Sequence, residues 1–124
     1  MTSKQPTIGI SHLRVTVTED FYIGPGRADL LERIAAAGSI AAAGKDMGMS
    51  YKRAWSLVQA LNEGFGAPLV ETSRGGSAQG GAELTVLGCE VLERYRHMQT
   101  AASAAIGPDL RALQELARHK SRDK

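Results

Sequence analysis

The fold is decided by residues 39–55, which read SIAAAGKDMGMSYKRAW. Ser39 is a good N-cap for a short helix over residues 40–47, because its hydroxyl can accept a hydrogen bond from a free N–H group of the first turn. Gly48 ends that helix, and Ser50 can cap the longer helix that follows. Two helices joined by a short glycine turn indicate a helix-turn-helix unit.

Small residues mark where these two helices should cross. Ala43 or Gly44 must be small because the helix backbones approach each other closely there, and Gly48 permits the positive φ of a tight turn. The longer helix is expected to run to about residue 63. Its apolar residues recur at helical spacing, at Ala54, Leu57, Val58 and Leu61. Either Val58 or Leu57 should close a three-helix core.

The segment before this unit predicts a strand and a short return. Residues 12–18 alternate in character, which places Leu13, Val15 and Val17 on one half-buried face. The pair Glu19-Asp20 turns the chain into the apolar stretch Phe21-Tyr22-Ile23.

A further helix is expected to begin at Arg27 and to end at Gly38. Asp29 lies in its first turn, where the helix dipole favours a carboxylate. Ala28, Leu31 and Ile34 share its apolar face.

A glycine-rich segment follows the helix-turn-helix. Residues 73–81 contain four glycines and Arg74, and they are flanked by short predicted strands at 69–72 and 82–85. A flexible hairpin in this position is typical of a wing, whose tip can lie along a nucleic-acid backbone or in a minor groove. The predicted fold is therefore mostly α with a small β component, a winged helix-turn-helix followed by a long helix.

Thr85 can cap a helix over residues 86–106, which Gly107-Pro108 should stop before a last helix over 109–119. Apolar and small residues of the long helix alternate in steps of four and three, which is typical of a packed or paired helix: Leu84, Gly88, Val91, Tyr95, Met98, Ala102 and Ala105. We expect a flexible N-terminus over 1–11, a winged helix over 12–85, dimerisation helices over 86–120 and a solvated tail over 121–124.

The composition narrows the class of protein. The chain has 124 residues, a net charge of +2 and a single cysteine, Cys89. One cysteine cannot form an internal disulfide, which fits a reducing cytoplasm, and no stretch approaches the ~20 apolar residues of a membrane span. The three histidines are scattered, and no catalytic or nucleotide-binding motif occurs. We expect no enzymatic activity, metal or cofactor.

The outer face of the predicted second helix of the pair carries the candidate contacts with double-stranded DNA. Residues 50–59 contain Lys52 and Arg53 but no carboxylate. A helix fits the major groove, where its N-terminal residues reach base edges. The candidate DNA-binding residues are Ser50, Tyr51, Lys52, Arg53, Trp55, Ser56 and Gln59, with Arg74 at the wing.

Other interpretations remain open at this point. Trp55 is as compatible with the core as with DNA contact. A winged helix can also be a protein-interaction module without DNA binding, which would favour an acidic or apolar outer face. A small-ligand or oxyanion sensor is a third possibility, for which the sequence offers no basic pocket.

Three stretches resemble the N-terminal DNA-binding domain of the molybdenum-dependent transcriptional regulators of the ModE type. They are residues 38–40 (GSI), 43–55 (AGKDMGMSYKRAW) and 80–85 (GGAELT), and the resemblance covers roughly residues 12–106. The stretch Ser50–Trp55 is the most specific of them.

This resemblance implies a homodimer that binds a palindromic operator of genes for molybdate uptake or for molybdoenzymes. Full-length members of the family carry C-terminal molybdate-binding domains. A chain of 124 residues is too short to hold these as well, so direct molybdate binding is not expected.

Overall fold

The computed structural model describes residues 7–73 and 80–122, with side chains as far as residue 119. In chain order the elements are β1 (Val15–Thr18), β2 (Phe21–Ile23), α1 (Pro25–Ala37), α2 (Ile40–Asp46), α3 (Tyr51–Phe65), β3 (Val70–Ser73), β4 (Gly81–Leu84) and α4 (Val86–Arg122). The strands form two small antiparallel sheets, β1 with β2 and β3 with β4. This confirms the expected mostly α fold with a small β component.

The core lies between α1, α2 and α3. Val58 rather than Leu57 closes it, since Val58 is buried and Leu57 only partly so. The other buried side chains of these helices are those of Ala28, Leu30, Leu31, Ile34, Ile40, Ala43, Ala54 and Leu61. Every one of them is apolar, so burial of apolar surface is the main force that holds the three helices together.

The first strand differs from its prediction. It begins at Val15 rather than at residue 12, and Val17 is exposed instead of facing inward. The reason is an irregularity in the pairing: Thr16 lies opposite Tyr22, but Thr18 lies opposite Phe21, so Val17 has no partner in β2. Such a bulge breaks the strict alternation on which the prediction depended.

The α1–α2 connection also positions the β3–β4 hairpin. Gly38 adopts a left-handed conformation with φ of 76° and ends α1 as predicted. The Ser39 hydroxyl accepts a hydrogen bond from the Ala42 N–H at 3.0 Å, which confirms it as the cap of α2. The Ala82 N–H donates to the Gly38 carbonyl at 2.8 Å, so β4 is tied to the start of the helix-turn-helix.

Helix α4 is continuous, and the predicted stop at Gly107-Pro108 is wrong. A proline removes one backbone hydrogen bond and crowds the carbonyl four residues earlier, which kinks a helix without ending it where the flanking residues favour the helix. Here four of the five residues at 101–105 are alanine, and the stretch Leu-Arg-Ala-Leu-Gln-Glu-Leu follows Pro108 at 110–116. The helix also extends to Arg122, past the predicted start of the tail.

The first turn of α4 is seated on the backbone that precedes β3. The Thr85 N–H donates to the Leu69 carbonyl at 2.9 Å, and the Thr85 hydroxyl donates to the Pro68 carbonyl at 2.8 Å. Gly88 is required here, because a Cβ on it would lie 2.1 Å from the Leu69 carbonyl oxygen. Two turns later the buried Tyr95 donates its hydroxyl to the Leu13 carbonyl at 2.7 Å.

The apolar stripe of α4 therefore has a part that packs on the core and a part that is exposed. From Gly88 to Met98 it packs on the core of its own chain, whereas Leu113 and Leu116 are exposed. Residues 7–11 have no regular structure, and Gly9 lies beside Leu110. Within the described ranges, no helix combines the length and the apolar character that crossing a membrane requires.

Candidate nucleic-acid interface

The turn between α2 and α3 has the close approach that the sequence predicted. A Cβ on Gly44 would lie 2.9 Å from the Ala54 Cβ, which is too short for an ordinary contact. Gly48 has a φ of 71°, and the Met49 N–H donates to the Gly44 carbonyl at 2.9 Å. These contacts fix the direction in which α3 leaves the turn.

Ser50 caps α3, as predicted. Its hydroxyl oxygen accepts a hydrogen bond from the Arg53 N–H at 3.1 Å. The hydroxyl proton can still be donated. Ser50 is exposed, so an external acceptor such as a phosphate oxygen can approach it at the positive end of the helix.

The candidate residues on α3 divide between two sides of the helix. Tyr51 and Trp55, one turn apart, line a groove of about 780 Å³ between α3, α2 and the β3–β4 hairpin. Lys52, Arg53 and Ser56 line a shallower depression of about 460 Å³ on the other side, together with Ser50, Leu57 and Ala60. Gln59, on the third turn, is half-buried and lines neither. The N-terminal half of α3 is therefore a ridge with polar, basic and aromatic side chains on both flanks.

The structure places Trp55 outside the core. Its exposed fraction is 42% and that of Tyr51 is 56%. An exposed pair of large aromatic side chains at adjacent turns offers flat apolar surface together with a hydroxyl and an indole N–H, which suits contact with base edges or thymine methyl groups.

The basic residues of α3 are not neutralised within the described part of the chain. Neither Lys52 nor Arg53 lies within ion-pair distance of a described carboxylate, whereas Arg94, Arg96 and Arg118 each do. Both Lys52 and Arg53 are exposed in the first turn of α3. Their charges are therefore available to phosphate groups.

Three residues at this groove were missed by sequence reasoning. Ser39, Lys45 and Thr72 line the same groove as Tyr51 and Trp55, although they come from α2 and β3. Ser39 was expected only as a cap. No local pattern could have grouped these residues, because they come from separate segments that are brought together when α2 and β4 pack on α1.

The β3–β4 hairpin also carries a negatively charged surface. Glu71 and Glu83 are paired across β3 and β4, and both are exposed. Two carboxylates directly opposite each other repel phosphate, so a DNA backbone would be excluded from that face and confined to the side of Thr72. Arg74, the predicted wing contact, lies outside the described residues.

Asn62 holds the hairpin to the far end of α3, and no sequence pattern indicated this role. Its amide oxygen accepts hydrogen bonds from the N–H groups of Leu69 and Val70 at 2.8 and 3.2 Å, and its amide nitrogen donates to the Val70 carbonyl at 3.1 Å. The Asn62 side chain therefore fixes the angle between α3 and the start of β3.

No cluster of three or more His, Cys, Asp or Glu side chains that could hold a metal ion occurs within residues 7–73 and 80–119. Among the described residues, the groups with a shifted pKa are Tyr95 and Arg96, which lie on α4, away from the ridge. Burial raises the pKa of Tyr95 above its ordinary value.

Curated relatives combine regulatory and molybdenum-related proteins. The chain is 40% identical over 85 residues to the molybdenum-pterin-binding protein MopA of Rhodobacter capsulatus, which covers 68% of this chain and 32% of that protein. It is 37% identical over 83 residues to the DNA-binding transcriptional dual regulator ModE of Escherichia coli (strain K12). That match covers 67% of this chain and 32% of that protein. These relatives confirm the expected resemblance, and the chain spans about a third of their length.

The fold is also shared with a protein whose crystal structure was solved in complex with DNA. The CbnR_DBD–DNA complex matches with a TM-score of 0.54 and 31% identity, over 72% of this chain and 95% of that one.

The model of the bacterial regulatory helix-turn-helix proteins of the lysR family matches residues 27–89, from α1 to the first turn of α4. This family model describes regulatory proteins rather than enzymes, in agreement with the expectation that the chain has no enzymatic activity. The chain belongs to the lysR family of bacterial regulatory helix-turn-helix proteins.

Proposed function

We propose that the chain binds double-stranded DNA sequence-specifically as a homodimer and regulates transcription in the cytoplasm. Residues 12–85 form the DNA-binding unit and residues 86–120 the dimerisation helix. The observation that carries the proposal is the exposed first turn of α3, where Lys52 and Arg53 are free of described carboxylates beside a groove lined by Tyr51 and Trp55.

The candidate side chains divide into proposed base contacts and proposed phosphate contacts. Tyr51, Trp55, Ser56 and Gln59 are the proposed base-reading side chains, while Ser50, Lys52, Arg53 and the wing's Arg74 are the proposed phosphate contacts. Because the net charge is only +2, bulk attraction to DNA is weak, and useful affinity depends on base contacts and on dimerisation.

The distal half of α4 is the proposed dimer surface. Its apolar stripe continues beyond Met98 as Ile106, Leu110, Leu113 and Leu116, and these residues are not buried in the chain itself. A second copy covers this stripe and places two recognition helices about one helical turn of DNA apart, ~34 Å. A chain that stayed monomeric at micromolar concentration in sedimentation would contradict this part of the proposal.

The proposed target genes are those of molybdate uptake or of molybdoenzymes, because named relatives are molybdenum-pterin-binding proteins and ModE regulators. We do not propose direct molybdate binding. Mapping of occupied sites across the genome, with and without molybdate in the medium, tests the target genes and the effector together.

The recognition ridge is tested with one variant and one matched control. The duplex is first selected from a random pool by the parent chain. Lys52→Ala should then lower affinity by about tenfold and reduce the slope of log affinity against log salt by about 0.9 per protomer, because a phosphate contact is lost.

Arg94→Ala removes the same charge from the proximal part of α4, outside the proposed dimer surface, where Arg94 is exposed and paired with Glu90. It should change the affinity less than about twofold. Equal effects of Lys52→Ala and Arg94→Ala would reject α3 as the recognition helix. A parent chain that selected no duplex but bound other proteins would favour the protein-interaction module.

A further inference from the structure

Arg96 of α4 is held by two carboxylates of α1. Its Nη2 donates to Asp29 Oδ1 at 2.9 Å and to Glu32 Oε1 at 2.6 Å, and its Nε donates to Glu32 Oε1 at 3.1 Å. Its Nη1 donates to Gln99 Oε1 at 2.9 Å within α4. Because the guanidinium is planar and rigid, contacts in several directions fix its orientation. Arg96, Asp29 and Glu32 are named the ion cluster.

The ion cluster differs from the other ion pairs of α4. It joins two helices, whereas the pairs Arg94–Glu90 and Arg118–Glu115 lie within α4. The Arg96 side chain is 34% exposed against 77% for Arg94, so solvent screens it less. Burial by itself would lower the pKa of Arg96, but the hydrogen bonds to Asp29 and Glu32 raise it overall. The guanidinium stays charged and bound.

Asp29 thus has a role that its sequence position did not suggest. It was expected in the first turn of α1, but α1 begins at Pro25 and has no acidic residue in its first turn. Its carboxylate instead binds Arg96, 67 residues away in the chain. The sequence could not show this partner, because α1 and α4 are brought together by the intervening core.

The cluster lies near the end of the part of α4 that packs on the core, which reaches Met98, and farther along the helix Leu110 lies beside Gly9. Among the described side chains, none of α4 beyond Gln99 forms a hydrogen bond to another element. Arg96 and Leu110 are 14 residues apart, which is about 21 Å along a helix. A tilt of about 10° at Arg96 would shift α4 at Leu110 by about 4 Å, slightly more than one base-pair step of about 3.4 Å.

We propose that Arg96 is a positioning residue for DNA recognition: the ion cluster fixes the angle between α4 and α1, and so sets the half-site spacing that the dimer accepts. The inference rests on the proposed function, because it requires a dimer formed through α4 and recognition through α3. It adds a determinant of specificity that touches neither the DNA nor the partner copy.

The experiment uses duplexes with two copies of the half-site selected by the parent chain, with the spacer varied one base pair at a time. Arg96→Met removes the guanidinium but keeps the apolar stem. Arg94→Met is the matched control, since it removes the same charge two residues away on the same helix. The double variant Asp29→Asn, Glu32→Gln removes the cluster from the α1 side and changes the net charge in the opposite direction.

We expect the parent and Arg94→Met to share one preferred spacing. Arg96→Met and the double variant should both bind the preferred duplex about five- to tenfold more weakly and discriminate less between spacings. Their affinity for a single half-site should change less than about twofold. Because the two variants alter the net charge in opposite directions, a shared effect cannot come from bulk electrostatics.

Asp29 and Glu32 are 43% and 60% exposed and can be solvated without Arg96, so both variants should fold. Circular dichroism checks the fold and sedimentation checks the dimer. Unchanged spacing profiles in either folded variant would overturn the positioning role and leave the proposed function intact. A parent chain that bound no duplex would overturn the proposed function, and this inference with it.

Discussion

Replacing Gly88 by alanine should destabilise this protein, although alanine is the better helix former. A Cβ at residue 88 would lie 2.1 Å from the Leu69 carbonyl oxygen, 3.0 Å from its carbonyl carbon and 3.2 Å from its Cα. All three are backbone atoms, so no side chain can rotate away. Helix α4 must therefore move from its seat by more than an ångström.

The free energy lost through this movement exceeds the free energy gained from the higher helix propensity of alanine. Overpacking of this kind costs about 1–3 kcal/mol. It also disturbs the hydrogen bond from the Thr85 N–H to the same Leu69 carbonyl, worth about 1 kcal/mol. The higher helix propensity of alanine returns about 1 kcal/mol. The net loss is about 2 kcal/mol, or a fall of about 8 °C in Tm for a chain of this size.

Gly26→Ala provides the matched control. Gly26 also lies in the first turn of a long helix, but nothing lies within 4 Å of a Cβ built on it. That variant should gain about 0.5–1 kcal/mol, because the unfolded chain loses freedom and the helix meets no clash.

The assay is thermal and urea unfolding followed by circular dichroism, with all chains at one protomer concentration, since dimerisation makes Tm depend on concentration. Gly88→Ala must lie below the parent and Gly26→Ala at or above it. A Gly88→Ala variant as stable as Gly26→Ala would refute the seat of α4 on Leu69.

Two further substitutions test other attachments by the same unfolding assay. Asn62→Ala should lower the free energy of unfolding by about 2–3 kcal/mol, because it leaves backbone groups of Leu69 and Val70 without their partner; a loss under about 0.5 kcal/mol would contradict it. Tyr95→Phe should cost about 1 kcal/mol at neutral pH through the lost bond to the Leu13 carbonyl. Burial raises the pKa of Tyr95 above 10.0 in the folded chain, so its contribution is complete below pH 10 and is lost as pH rises through the folded-state pKa. The parent should therefore lose stability above pH 10 more steeply than Tyr95→Phe, and parallel pH profiles would contradict the buried hydroxyl.

Local sequence was enough for the helix-turn-helix. Ser39, Gly48 and Ser50 act within a few residues of their own positions, as caps and as a turn, so their roles can be read from the types of neighbouring residue. The exposure of Lys52 and Arg53 followed for the same reason, since the period of α3 places them opposite Ala54 and Val58.

Local rules failed where one residue could be accommodated in two ways. Val17 was expected inside but falls in an irregular pairing, which depends on how β2 meets β1 rather than on β1 alone. Pro108 was expected to stop a helix, but the helix formers on both sides of it continue α4. Trp55 could have belonged to the core or to the surface, and the packing of α2 and the hairpin beside it decided for the groove.

The sequence by itself determined the winged helix-turn-helix, the caps and the basic first turn of α3, because these depend on contacts between near neighbours. Only the tertiary structure decided how the parts are held together. Asn62 with β3, Gly88 with Leu69 and Arg96 with Asp29 and Glu32 join residues from different elements. These contacts exist only after the apolar core has brought the helices together, and the orientation of α4 relative to the recognition helix depends on them.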